Sequence, residues 1–282
     1  MDITIRPLTE GDIVKADQVL QAAFNTVESR AADLQRYLAL QPDGFRVAVC
    51  QDSLAGLVGA VDYGPFTYIG LMAVHPAFQR HGIGHALMRQ IVDWLDARDT
   101  PMALLDATVM GAPVYISLGF VDQDQACLFQ LGTPAHCLSC PENVQPLGLQ
   151  DIEALCEFDT PIFGANRCGV FRMLLDDLAG RAFATRDEAG HISGYLFSQR
   201  RRLGPWAARR SEDAQALLQA ALRLPFEGGP AVIAPGMNNA AQELLKRFDF
   251  QFVRSSRHMR RGGTRLISQR ALIYGQTSFA IG

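Results

Sequence analysis

The same run of chemistry is written twice along this chain. Ile5-Arg6-Pro7-Leu8, followed by Asp12-Ile13, returns 139 residues later as Val144-Gln145-Pro146-Leu147 and Asp151-Ile152. Each run continues into a helix-like stretch holding a phenylalanine, Phe24 in the first and Phe163 in the second. Ala48-Val49 with Ser53 to Val58 reads as a hairpin, and Ala182-Phe183 with His191 to Leu196 repeats it. Leu118-Gly119-Phe120 finds its echo in Phe248-Asp249-Phe250. Several matches in one order point to a duplicated supersecondary unit, and 282 residues accommodate two domains of ordinary size. Thr133 to Pro146 carries three prolines and little apolar periodicity, so it reads as the connection. The expected domains are 1–138 and 139–282.

Local signals give the elements of the first copy. Ile3 and Ile5 alternate as a short strand, Leu8 to Asp12 forms a capped turn, and an amphipathic helix runs to about Phe24. Phe45 to Cys50, Leu57 to Tyr63 and Thr67 to Val74 read as strands. His85 to Ala97 reads as a helix with Leu87, Ile91, Trp94 and Leu95 on one face, stopping before Pro101. Met102 to Thr108 is a buried strand, and Pro113 to Leu118 a short helix ended by Gly119. A hairpin meander followed by strand–helix units implies an α/β (α+β) class, an open mixed sheet covered on both faces.

Composition narrows the functional classes. Hydrophobic residues make up 48% and charged residues 20%, as in a globular protein of average solubility. No apolar run reaches the roughly 18 residues that a membrane span needs, and the acidic start MDITIRPLTEGD has no signal core. A cytoplasmic protein without membrane contact is the expectation. The net charge of −3 divides into −7 for residues 1–140 and +4 for residues 141–282. A basic face on the second half is permitted, but Arg-rich surface is usually solvated surface, so no nucleic-acid partner is expected. Six scattered cysteines suit reduced thiols. His136 and the Cys137–Cys140 pair lack a second ligand pair at metal spacing, so no metal is expected.

The most informative short stretch is Gln79-Arg80-His81-Gly82-Ile83-Gly84-His85, placed where a strand hands over to a helix. The first N–H groups of a helix lack intrahelical partners and, with the helix dipole, attract an anion such as a phosphate. Gly82 and Gly84 keep side chains out of the way, while Arg80 and His81 add positive charge. The dinucleotide fingerprint needs a third glycine where Leu87 stands, and the Walker loop needs Lys where His85 stands.

Val74-His75-Pro76 with Gln79-Arg80-His81-Gly82-Ile83-Gly84 resembles the signature of the GCN5-related N-acetyltransferases, the GNAT superfamily. Leu105 to Phe120, closing with Tyr115-x-x-x-Gly119-Phe120, resembles that family's second motif, although Gly111 and Ala112 stand where many members carry an Asn. The resemblance covers nearly the whole chain and is to tandem members with one degenerate domain. It implies two GNAT-like domains, each a mixed, mostly antiparallel twisted sheet flanked by helices. It also implies acetyl-CoA as cosubstrate, with Gln79, Arg80, His81, Gly82, Ile83, Gly84 and His85 holding the pyrophosphate. The backbone of Met72, Ala73 and Val74 would pair with the pantetheine and offer a donor to the oxyanion of acyl transfer. Tyr115 falls on the tyrosine that protonates the departing thiolate; a phenol of pKa near 10 keeps its proton at neutral pH.

The second copy lacks the loop. After Gly204-Pro205-Trp206-Ala207-Ala208 come Arg209-Arg210-Ser211-Glu212-Asp213, without a glycine pair, and Leu245 stands where Tyr115 stood. A single coenzyme site, in the first copy, is therefore expected. The general base is open among Glu28, Asp62, Tyr63, Tyr68 and Asp106, and the acceptor is a primary amine of a small molecule or peptide. A non-catalytic acyl-CoA sensor or interaction module is the alternative. A homodimer is an open option, and Leu272-Ile273-Tyr274 and Phe279 mark the tail as structured.

Overall fold

The structure is a computed structural model and describes residues 2–132, 141–263 and 268–282. The chain forms two compact units that are not contiguous in sequence. The first takes residues up to Asp122 together with Met259–Gly263 and Phe279–Ile281, and the second takes the rest. The boundary expected at 138–139 lies among residues 133–140, outside the described residues, as do His136, Cys137 and Cys140.

In the first unit, β1 (Ile3–Pro7) leads through a 3-10 turn at Glu10–Asp12 into α1 (Ile13–Phe24). The turn is held by Asp12, whose carboxylate accepts from Thr9 N at 2.9 Å, from Thr9 Oγ1 at 2.7 Å and from both Arg6 nitrogens at 2.7 and 2.8 Å. Hydrogen bonds from the Arg6 guanidinium hold this carboxyl well below the usual carboxylate range. Asn25, left-handed at φ 49°, ends α1. A helix not foreseen, α2 (Ala31–Leu40), follows, burying Leu34, Tyr37 and Leu38. Then come β2 (Phe45–Cys50), β3 (Ser53–Asp62), β4 (Thr67–Val74), α3 (Ile83–Asp96), β5 (Met102–Ala107) and α4 (Ala112–Ser117).

Strands β1 to β4 pair antiparallel in chain order, and β4 pairs parallel with β5. α3 covers one face. Its Ile83, Leu87, Ile91, Trp94 and Leu95 form one cluster with Ala48, Val58, Ile69 and Leu105 of the sheet. Burying a Leu or Ile fully in this way stabilises by roughly 1.5–3 kcal/mol. Gly56 is required by this closeness, since a Cβ there would stand 2.9 Å from Ala73 O and 3.1 Å from Leu87 Cδ1.

The second unit repeats the plan. It contains β6 (Val121–Gln130) from Gln123 onward, β7 (Val144–Pro146), α5 (Ile152–Phe163), α6 (Cys168–Asp177), β8 (Ala182–Arg186), β9 (Ile192–Ser198) and β10 (Arg202–Ala208). Next in the chain are α7 (Ser211–Ala221), β11 (Ala231–Pro235), α8 (Asn239–Arg247), β12 (Gln251–Gly262) and β13 (Ile273–Gly275). The turn device recurs too: Asp151 accepts from Gly148 N at 3.0 Å and from Arg186 at 2.8 Å. Strands β7 to β10 are antiparallel, β10 pairs parallel with β11, and β6 pairs antiparallel with β11. β12 changes unit along its length, with Met259–Gly263 belonging to the first.

One expectation is corrected. Cys156 on α5 and Cys168 at the start of α6 are joined as a disulfide, with Cα atoms 5.7 Å apart, so the cysteines are not all reduced thiols. The turn between the two helices folds back and brings together residues that a count of cysteines leaves apart. Cys50 and Cys127 are free and buried. No helix among the described residues is long and apolar enough to cross a membrane.

Candidate active site

β4 changes its pattern halfway. Its pairing with β5 runs Thr67↔Ala103, Tyr68↔Leu104 and Ile69↔Leu105. On its other side, Leu57↔Ala73 is followed by Gly59↔Gly70, so three steps of β4 span two of β3. Leu71 sits in this bulge with φ 53°. The extra residue re-aims the remainder of the strand. Ile69 belongs to the cluster under α3, Gly70 lies on the opposite face, and Met72 and Val74 again pack against that cluster. The residues expected to align a pantetheine, Met72, Ala73 and Val74, therefore all lie beyond both the bulge and the last β5 pair.

The turn after β4 is fixed by its own side chains. Gln79 Nε2 donates to Val74 O at 3.1 Å, and His75 Nδ1 accepts from Ala77 N at 3.2 Å. Arg80 adopts φ 64° and Gly82, the residue preceding α3, φ 79°. A Cβ on Gly82 would meet nothing within 4 Å, so this glycine is required by its left-handed backbone and not by crowding. Gly84 differs: its Cβ would lie 3.0 Å from Met72 Cε. The first helical bond runs from Ala86 N to Gly82 O at 3.0 Å, leaving the N–H groups of Ile83, Gly84 and His85 at the open end of the helix. Arg80 and His81 are exposed beside them. An open helix end with two basic side chains beside it is of the kind that attracts an anion.

Tyr115 on α4 is 7% exposed and lies in the α3 cluster, its ring edge-on to Phe120 with centroids 6.0 Å apart. Burial pushes its phenol up to about 12, so the group stays protonated throughout the neutral range.

The base candidates are in different situations. Tyr68 donates to Asp106 Oδ2 at 2.6 Å, and both lie on the sheet face opposite α3. Asp106 is the first residue of β5 past its last pair with β4. Asp62 closes the β3–β4 connection instead, accepting from Gly64 N at 2.8 Å and Thr67 Oγ1 at 3.4 Å. Tyr63 donates to Ile281 O at 2.7 Å. Glu28 is exposed between α1 and α2. The structure brings Tyr68 and Asp106 together. Phe279 marked the tail as structured, but sequence reasoning missed that Phe279–Ile281 belongs to the first unit, since no local signal links it there.

Two family descriptions match the chain. Residues 15–120 match the acetyltransferase (GNAT) family and residues 155–275 an acetyltransferase (GNAT) domain. The chain belongs to the GNAT acetyltransferase family. As a tandem GNAT protein it is an acyltransferase of the N-acetyltransferase type, and the family implies acetyl-CoA. It is similar to a provisionally assigned acetyltransferase from Pyrococcus horikoshii, with 26% identity, TM-score 0.87, and coverage of 99% of this chain and 96% of that one. The fold is shared with a GCN5-related N-acetyltransferase from Sphaerobacter thermophilus (15% identity, TM-score 0.71, coverage 94% and 98%). It is shared also with a tandem GNAT protein from the clavulanic acid biosynthesis pathway (14%, TM-score 0.64, coverage 94% and 100%). No curated protein sequence matches the chain.

Proposed function

We propose that the first unit transfers an acetyl group from acetyl-CoA to a primary amine of a small molecule or peptide, by direct attack in a ternary complex. The observation that carries this reading is the turn before α3. Its left-handed Gly82, the N–H groups of Ile83, Gly84 and His85, and exposed Arg80 and His81 make an end suited to a pyrophosphate. Gln79 holds that turn to β4, and the backbone of Met72, Ala73 and Val74 continues from it on the far side of the bulge.

Acetyl-CoA supplies an activated acetyl group as a thioester. Asp106, carried on the opposite face and oriented by Tyr68, is the group we assign to take the proton of the incoming ammonium, because Asp62 is engaged in its own turn and Glu28 lies on the surface. Tyr115 retains its proton and is the assigned donor to the leaving sulfur.

The same fold comparison supports a single coenzyme site per chain. In the second unit β10 pairs with β11 at Arg202↔Ala231 and Leu203↔Val232, matching Tyr68↔Leu104 and Ile69↔Leu105. The bulge recurs between Leu203 and Trp206. Beyond it, however, β13 pairs with β10 at Trp206↔Gly275 and Ala207↔Ile273, while Gln276 N donates to Ile233 O of β11 at 2.9 Å. The chain's own strand thus occupies the edge corresponding to Met72–Val74. Glu212 and Asp213 occupy the first turn of α7, where the first unit has glycine.

The alternative, an acyl-CoA sensor without turnover, is favoured by the burial of Tyr115. Titration calorimetry with acetyl-CoA, followed by coenzyme A release over an amine panel, tests both. One equivalent bound per chain with amine-dependent release supports transfer. Binding without release to any amine moves the assignment to the sensor, and no binding removes both.

A further inference from the structure

The stretch Phe279–Ile281 crosses β4 at a chemically sensitive point. Gly70 is the residue between the last β4–β5 pair, Ile69↔Leu105, and the bulged Leu71. A Cβ on Gly70 would stand 2.5 Å from Ala280 O and 2.7 Å from Ala280 C, so two backbones are in direct contact where a side chain would ordinarily lie. Tyr63 Oη fixes the next residue by donating to Ile281 O at 2.7 Å. Ala280 is 8% and Ile281 1% exposed, which marks a seated segment.

The direction of Gly70 decides which face the segment covers. Residues two apart on a strand share a face, so Gly70 projects to the same side as Tyr68, away from α3. Asp106, bonded to Tyr68, lies on that side as well. Phe279, Ala280 and Ile281 bring no charge, and just beyond β5 the apolar side chains of Val109 and Met110 are 84% and 80% exposed. The Asp106 carboxylate, apolar chain at Phe279–Ile281 and an apolar loop past the strand end together suit a cation attached to an apolar body.

We propose that residues 279–281 form a wall of the acceptor pocket and make the first unit select primary amines borne on an apolar group. This rests on the reading of the first unit as an acetyl-CoA-dependent transferase. A wall of this kind acts on acceptor affinity and leaves coenzyme binding alone.

The test uses the full chain as wild type, Tyr63→Phe and Phe279→Ala. Calorimetry gives the acetyl-CoA Kd, a second titration of the coenzyme A-loaded chain gives amine affinity, and steady-state kinetics give KM and kcat for 2-phenylethylamine, ethanolamine and putrescine. The wild type is expected to favour 2-phenylethylamine by about tenfold or more in kcat/KM. Each variant is expected to raise its KM and its Kd by about threefold to tenfold, with kcat and the acetyl-CoA Kd within about twofold of wild type on the same grounds. An unchanged KM and an unchanged amine order in Tyr63→Phe, the milder variant, overturn the wall while acetyl-CoA binding and turnover leave the transferase reading standing. A wild type that fails to bind acetyl-CoA overturns both.

Discussion

Tyr68 Oη reaches Asp106 Oδ2 at 2.6 Å, tying β4 to β5 one residue past the point where the two strands stop pairing. A carboxylate in that place is held by a neighbour while remaining on the face assigned to the acceptor.

Asp106→Asn keeps an oxygen for Tyr68 to donate to and removes the proton acceptor. kcat is expected to fall by about 10²–10⁴, the usual weight of general-base assistance, with the acetyl-CoA Kd unchanged. Steady-state acetylation alongside calorimetry checks this, and full retention of kcat would return the role to Glu28 or Asp62.

Gly82 separates conformation from charge. Gly82→Ala meets no neighbour but must hold φ 79°, which costs about 1–2 kcal/mol of stability for an L-residue. Gly82→Glu adds to this a carboxylate at the open end of α3, and acetyl-CoA binding is expected to vanish with Glu and to weaken far less with Ala. Urea melts and titration calorimetry read the two effects independently.

The contrast between legible and hidden features comes from range. Thr67–Val74 is a strand with the bounds its apolar run implies, because an unbroken buried strand between turn signals is a local pattern. α3 begins at Ile83, before the expected His85, since Gly82 and not the first apolar periodicity sets its start. α2 had a readable signal in Leu34, Tyr37 and Leu38, which sit at helical spacing. The loop from Gln79 to His85 was legible because its glycines act through their own backbone. By contrast, Gly70 owes its identity to Ala280, and Tyr63 to Ile281. Such partners lie about two hundred residues away and leave no periodic trace. Which side of the sheet Asp106 would take was likewise hidden, because alternation along a strand defines two faces and only the packing of α3 on one of them says which is which.

Alkaline pH should report on Tyr115. Its phenol has an ordinary pKa near 10 in the unfolded chain and about 12 in the fold. The folded value is the raised one, so its stabilising contribution is complete below pH 10 and is lost as pH climbs toward 12. The difference is roughly 2–3 kcal/mol. Fully buried Tyr195 is displaced in the same direction and adds to the loss. Urea midpoints between pH 9 and 11.5 should fall less steeply in Tyr115→Phe than in wild type.

Arg167 tests the interior of the second unit. Its guanidinium grips Asp159 through two bonds of 2.7 and 2.9 Å and also donates to Tyr195 Oη at 2.7 Å and Thr277 Oγ1 at 3.2 Å. Both charged side chains are nearly inaccessible, at 2% and 1%. Arg167→Ala strands a buried carboxylate and is expected to destabilise by about 3–5 kcal/mol in urea unfolding. Adding Asp159→Leu should recover part of that loss.

β13, seated on β10 and followed by Gln276, which bonds β11, is covalently attached to the surface it covers. A tethered occupant has a fixed local concentration that dialysis does not lower and competitors must overcome. If the first unit binds the coenzyme as proposed, nucleotide in excess stabilises it in proportion to the logarithm of its concentration. On the proposed reading of one coenzyme site per chain, the second unit has its edge filled from within, and its share of the stability does not follow the nucleotide concentration.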